Sequence, residues 1–160
     1  MIAKQDLINL LKKENATTLK VLRAFPSDQS TFKPHERSSD AITLTSTLVF
    51  GFDLVLGLIL GGTFDPSIFK TYRPENVAKV TEDFEQKSEK VIRGLENLPE
   101  SELKKTIEFA GHKFIADDFM VMLLHDQIHH RGQLTVYIRM AGGKVPSVYG
   151  PTADDKSTNL

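Results

Sequence analysis

Three histidines and an acid crowd into one short run, His125-Asp126-Gln127-Ile128-His129-His130-Arg131-Gly132-Gln133-Leu134. On a helix, residues four apart sit one above the other, so His125 and His129 are expected about 5–6 Å apart at Cβ. Two imidazoles so placed can bind one metal ion from one helix face. The same spacing also suits two buried histidines whose ring nitrogens are satisfied by hydrogen bonds. Asn15, Thr43, Ser46 and Thr47 are the candidate partners for that second arrangement. Met122, His125, His129, Gly132, Val136 and Met140 recur at helical period, and this stripe is read as facing the core. Both histidines are therefore expected to point inward. His130 is rotated by about 100° from His129 and falls on a flank, as a partly exposed residue or a dimer contact.

Four helical segments must position these residues. The first is expected over about 2–25, with Leu11, Leu19, Leu22 and Phe25 on one stripe, Asn15 on the same stripe, and Pro26 as the stop. The second is expected over about 39–60, capped by Ser38 or Ser39 and ended by Gly61-Gly62. Its first half carries Thr43, Thr45, Ser46 and Thr47. Its second half, Phe50 to Leu60, is apolar on every side. The third is expected over about 74–98, with Pro74 at its first position and a stripe of Val77, Val80, Phe84, Val91, Leu95 and Leu98. A small hairpin is read at Thr106–Phe109 and Lys113–Ile115, around Ala110-Gly111-His112. The fourth helix is expected over about 117–141, ended by Gly142-Gly143, with a tail over 144–160. The fold class is all-α: a four-helix bundle with long connections between helices, in one domain over 1–160.

Composition narrows the function. Twenty basic residues oppose twenty-one acidic ones, giving a formal net charge of −1. That balance lacks the electrostatic footprint of a nucleic-acid binder, so no nucleic-acid partner is expected. The chain has no cysteine, which excludes disulfides, zinc–thiolate sites and a cysteine nucleophile. Residues 1–13 read as an amphipathic helix rather than a secretory signal. The most apolar stretch, Leu44 to Leu60, carries Asp53 and reads as a buried helix rather than a membrane span. A cytoplasmic protein is expected. No glycine-rich phosphate loop is present.

The run from His125 through His129-His130-Arg131-Gly132-Gln133-Leu134, then Tyr137-x-Arg139, Val145-Pro146 and Tyr149-Gly150-Pro151, resembles the C-terminal signature of DinB-like proteins. Phe32-Lys33-Pro34-His35-Glu36-Arg37-Ser38 resembles the stretch before that family's second helix. The resemblance implies a four-helix fold, often a homodimer. It also implies a zinc or nickel site held by three histidines, two on the fourth helix matching His125 and His129. The third would come from the second helix, where this sequence has Thr47, and Thr43 stands at the neighbouring carboxylate position. A neutral hydroxyl is a poor ligand for a divalent ion. Metal is therefore expected to bind weakly or not at all.

Two function classes stay open. In one, the chain is a small-molecule-binding or structural homodimer with a degenerate metal site, its pocket lined by Asn15, Thr43, Ser46, Thr47 and Gln133. In the other, it is a metal-dependent enzyme, a thiol-dependent transferase or a hydrolase, that uses His125 and His129. The interface of the homodimer is expected at Phe50 to Leu60, unless the segment Thr63 to Arg73 covers that face.

Overall fold

A computed structural model describes residues 2–156, and residues 157–160 of the expected tail lie outside the described residues. The elements are α1 (Lys4–Arg23), α2 (Ala41–Leu58), α3 (Ile68–Thr71), α4 (Val77–Asn97), a 3-10 turn (Glu100–Lys104), β1 (Thr106–Phe109), β2 (His112–Ile115) and α5 (Ala116–Met140). The fold is an all-α bundle, as expected. Helices α4 and α5 each pack against both α1 and α2, which places α1 and α2 on a diagonal. The connection over 24–40 spans that diagonal.

Local chemistry explains the boundaries. Asp40, not Ser38 or Ser39, caps α2, accepting the backbone N–H of Thr43 at 2.7 Å. Helix α4 begins at Val77, three residues beyond Pro74, because Asn76 takes the cap and accepts the N–H of Lys79 at 2.8 Å. Gly142, at φ +84°, lets the chain leave α5 in the left-handed region. The hairpin pairs antiparallel, Thr106 opposite Ile115 and Phe109 opposite His112. Its tight turn puts Ala110 and Gly111 at positive φ.

The expected stripes of α1 and α4 form the core. Val80 and Phe84 are fully buried, and Phe84 meets Phe52 of α2 edge-on at 4.9 Å between ring centroids. Truncating such a ring to alanine costs about 3–5 kcal/mol. Helix α2 is long and apolar enough to cross a membrane by length and composition, with half of its residues buried inside the bundle. Its Asp53 is paired with Lys87 of α4 at 2.6 Å.

The outer side of α2 is covered by the segment over 63–73, which includes α3. Phe50 meets Phe69 at 5.0 Å and Tyr72 at 5.8 Å, both edge-on, and Phe64 meets Phe69 at 5.7 Å. Tyr72 is anchored in turn by its hydroxyl, which donates to Asp83 at 2.8 Å. No residue over Phe50–Leu60 is exposed, so the segment over 63–73 covers the face at which a dimer interface was expected.

Candidate functional site

The face of α5 is the main correction to the sequence reading. Met122, Val136 and Met140 are 41%, 52% and 55% exposed, and His125, His129 and Gly132 on the same stripe are exposed with them. The buried face is instead Phe119, Met120, Leu124, Gln127, Arg131, Leu134 and Ile138. His125 and His129 point to solvent rather than into the bundle, away from Thr47 and Asn15.

Rotating α5 by this amount brings a different pair toward α2. Asp126 and His130, also four residues apart, line the grooves that Thr47 lines. Asp126 Oδ1 lies 3.4 Å from His130 Nε2, and the other ring nitrogen, Nδ1, lies 2.9 Å from Gln133 Oε1. Nδ1 of His130 is thus hydrogen-bonded within its own helix, and Nε2 faces the Asp126 carboxylate. Thr47 Oγ1 donates to the carbonyl of Leu44 at 2.6 Å, and Ser46 Oγ donates to that of Ile42 at 2.7 Å. Thr43 is exposed at the start of the same helix face.

Besides the small apolar cleft it shares with Asp126, Thr47 separates two larger surface grooves. One, of about 470 Å³, is bordered by Ser38, Ser39, His130, Gln133 and Tyr137. The other, of about 400 Å³, lies on the α3 side and is bordered by Ser46, Phe50, Phe69, Tyr72 and Arg73. Volumes of about 300–1,000 Å³ are typical of small-molecule sites. Of the expected lining residues, Thr43, Ser46, Thr47 and Gln133 border these grooves.

Asn15 does not. It is buried, as its stripe implied, but it accepts a hydrogen bond from Gln127 Nε2 at 3.2 Å within a separate polar layer between α1 and α5. At the centre of that layer is Arg131, 2% exposed, paired with Glu14 at 2.8 Å. Arg131 also donates to the carbonyl of Glu14 and to Thr18 Oγ1, both at 3.2 Å. Tyr149 of the tail closes the layer. Its hydroxyl accepts from Arg131 and donates to Glu14 Oε2, the latter at 2.8 Å, and its ring lies under the guanidinium. Burial and then the Glu14 carboxylate push the Tyr149 phenol above its ordinary value. The sequence pattern assigns no core role to Glu14 or Arg131. The available signal was a basic residue at the period of Phe119, Leu124 and Leu134.

The metal implied by the resemblance needs three ligands around one point. Among the described residues, no group of three or more His, Cys, Asp or Glu is placed to hold an ion. Near Thr47 the donors are one imidazole and one carboxylate, already in contact with each other. The residues present do not fit a three-histidine site.

The sequence matches the DinB family profile over residues 1–159. The chain belongs to the DinB family. Among proteins of Bacillus subtilis, it is 26% identical to YjoA over 141 residues, 86% of this chain and 90% of YjoA. It is 30% identical to YrdA over 83 residues, a match that spans only about half of either protein, 51% and 50%. The solved structure of the DinB-like YjoA superposes with a TM-score of 0.68 at 24% identity, covering 85% of this chain and 92% of that one. A DinB-like protein from Bacillus cereus superposes at 0.77 with 20% identity, covering 91% and 97%. At these identities the structural matches establish the fold.

Proposed function

We propose that this DinB-family protein binds a small molecule in the grooves on either side of Thr47, as a member of the family with a degenerate metal position. The observation that carries the reading is the convergence of two grooves of ligand size on one hydroxyl of α2, bordered by His130, Gln133 and Arg73. Neutral hydroxyls and one engaged imidazole suit recognition of a ligand rather than tight capture of a divalent ion. A fragment screen followed by methyl and amide NMR shifts tests this. Ligands should move Thr47, Ile42 and Leu44 together. Binders that cluster only elsewhere would overturn the reading, as would about one tightly held divalent ion per chain in elemental analysis of protein prepared without added metal.

The same proposal includes a homodimer, with its interface on α5 instead of α2. Met122 and Met140 stand eighteen residues apart, about five helical turns, and so lie on one line. Val136 lies beside that line, and Gly132 offers an open position within the exposed face. Such a line of exposed apolar side chains favours association with a second copy. Light scattering at micromolar concentration should give twice the chain mass, and Met122→Glu with Met140→Glu should halve it. A monomeric parent would refute the dimer without touching the ligand reading.

A further inference from the structure

We infer that the groove on the α3 side of Thr47 takes a small organic carboxylate with a planar apolar body and an N–H or O–H donor. This rests on the small-molecule reading above and assigns it a ligand class.

Three features of the groove combine. The first is charge. Among the described residues Arg73 is the only charged one that borders it. Four other arginines have carboxylate partners, Arg23 with Glu85, Arg93 with Glu89, Arg131 with Glu14 and Arg139 with Asp154. Among the described residues no carboxylate pairs with Arg73, whose Nη1 donates to the carbonyl of Tyr72 at 2.8 Å. That bond uses one of its N–H groups and, with Arg73 at the border of the groove, leaves the others for a planar oxyanion.

The second is an aromatic wall. Phe50, Phe69 and Tyr72 meet edge-on, and Tyr72 is fixed by Asp83, so the apolar surface is already in place before a ligand arrives. Preorganised aromatic walls bind flat bodies at low entropic cost. The third is the polarity of the floor. The hydroxyl hydrogens of Ser46 and Thr47 are directed to carbonyls of their own helix. Their oxygens are left as acceptors, which selects a ligand that donates.

Indole-3-acetate carries all three features and serves as the probe. Indole-3-acetamide removes the charge, and naphthalene-1-acetate removes the donor. Calorimetry should show the acid binding about tenfold tighter than its amide, as expected for a charge-assisted pair. Naphthalene-1-acetate should bind several-fold more weakly than indole-3-acetate. Arg73 is exposed, so Arg73→Gln should fold normally, and it should erase the preference for acid over amide while leaving the amide's affinity unchanged. Equal binding of acid and amide, or a preference that survives Arg73→Gln, overturns the inference. If that happens while residues of 42–50 still shift in NMR, the small-molecule reading stands and only the ligand class is wrong. If none of the three compounds binds, the ligand class is refuted, and the fragment screen decides the broader reading separately.

Discussion

Removing the carboxylate at position 14 should be among the most damaging single changes in this bundle. Glu14 and Arg131 are 4% and 2% exposed, so Glu14→Gln leaves a guanidinium buried with only neutral acceptors: the carbonyl of residue 14, Thr18 and the Tyr149 hydroxyl. Breaking a buried pair by removing one partner costs about 3–5 kcal/mol. Against a total stability of about 5–15 kcal/mol, this is a large fraction. For a chain of this size it corresponds to a fall in Tm of roughly 6–20 °C. Urea unfolding followed by circular dichroism measures the change, provided the slope against denaturant is preserved. The control is Glu14→Leu combined with Arg131→Met. A packed apolar replacement of a buried pair is often neutral or stabilising, so the double variant should recover most of the loss. A loss below about 1 kcal/mol for Glu14→Gln would refute the account, because it would mean that the neutral partners alone satisfy Arg131.

Thr47→His places an imidazole opposite Asp126 and His130, and this variant should gain about 2.7 kcal/mol of stability when free zinc is a hundredfold above its Kd. The parent should gain little, and equal responses in a thermal-shift titration would refute the geometry. Acid should loosen the segment over 63–73 through Asp83. Burial raises its carboxyl, but the hydrogen bonds from Lys79 and Tyr72 outweigh burial and hold it below the ordinary value. Its contribution is therefore complete above the unfolded value of about 4 and is lost as pH falls through the depressed folded value. Hydrogen exchange at Tyr72 should quicken below about pH 4, and Asp83→Asn should reduce that dependence, the remainder coming from Asp65, which accepts from Ser67 at the start of α3 and is also held below its ordinary value. Two glycines of α2 should respond in opposite directions. A Cβ at Gly57 would lie 2.6 Å from Phe64 Cβ and 2.7 Å from its backbone, so Gly57→Ala should destabilise by about 1–3 kcal/mol. Gly51 has nothing within 4 Å, and Gly51→Ala should stabilise by about 0.5–1 kcal/mol. Melting temperatures check both.

The helices that were easiest to read are those with strong contrast between faces. In α4 an apolar stripe faces a densely charged one, and the buried residues Val77, Val80, Phe84, Val91 and Leu95 follow the stripe directly. The hairpin was legible from its turn residues. Helix α5 offers two competing stripes. The exposed one contains Met122, Val136 and Met140, and the buried one is interrupted by Gln127 and Arg131. A stripe broken by a cation looks like a surface. It is buried because Glu14 and Thr18, more than 100 positions away, supply its partners. No local pattern encodes that, and the error carried the candidate pair to His125 and His129. The short α3 was missed for a related reason: its place is set by Phe50 and Asp83 rather than by a period of its own.

An outward pair of histidines has a practical outcome. His125 and His129 stand one turn apart on the same exposed face as Met122 and Met140, which gives the monomer an affinity handle for immobilised nickel or copper. The Met122→Glu, Met140→Glu variant, untagged, should be retained on such a resin and eluted by imidazole, and adding His125→Ala with His129→Ala should let it pass through. Ions carried away from the resin would sit on the exposed face of α5. A metal content measured after that purification would therefore describe the handle and not the grooves.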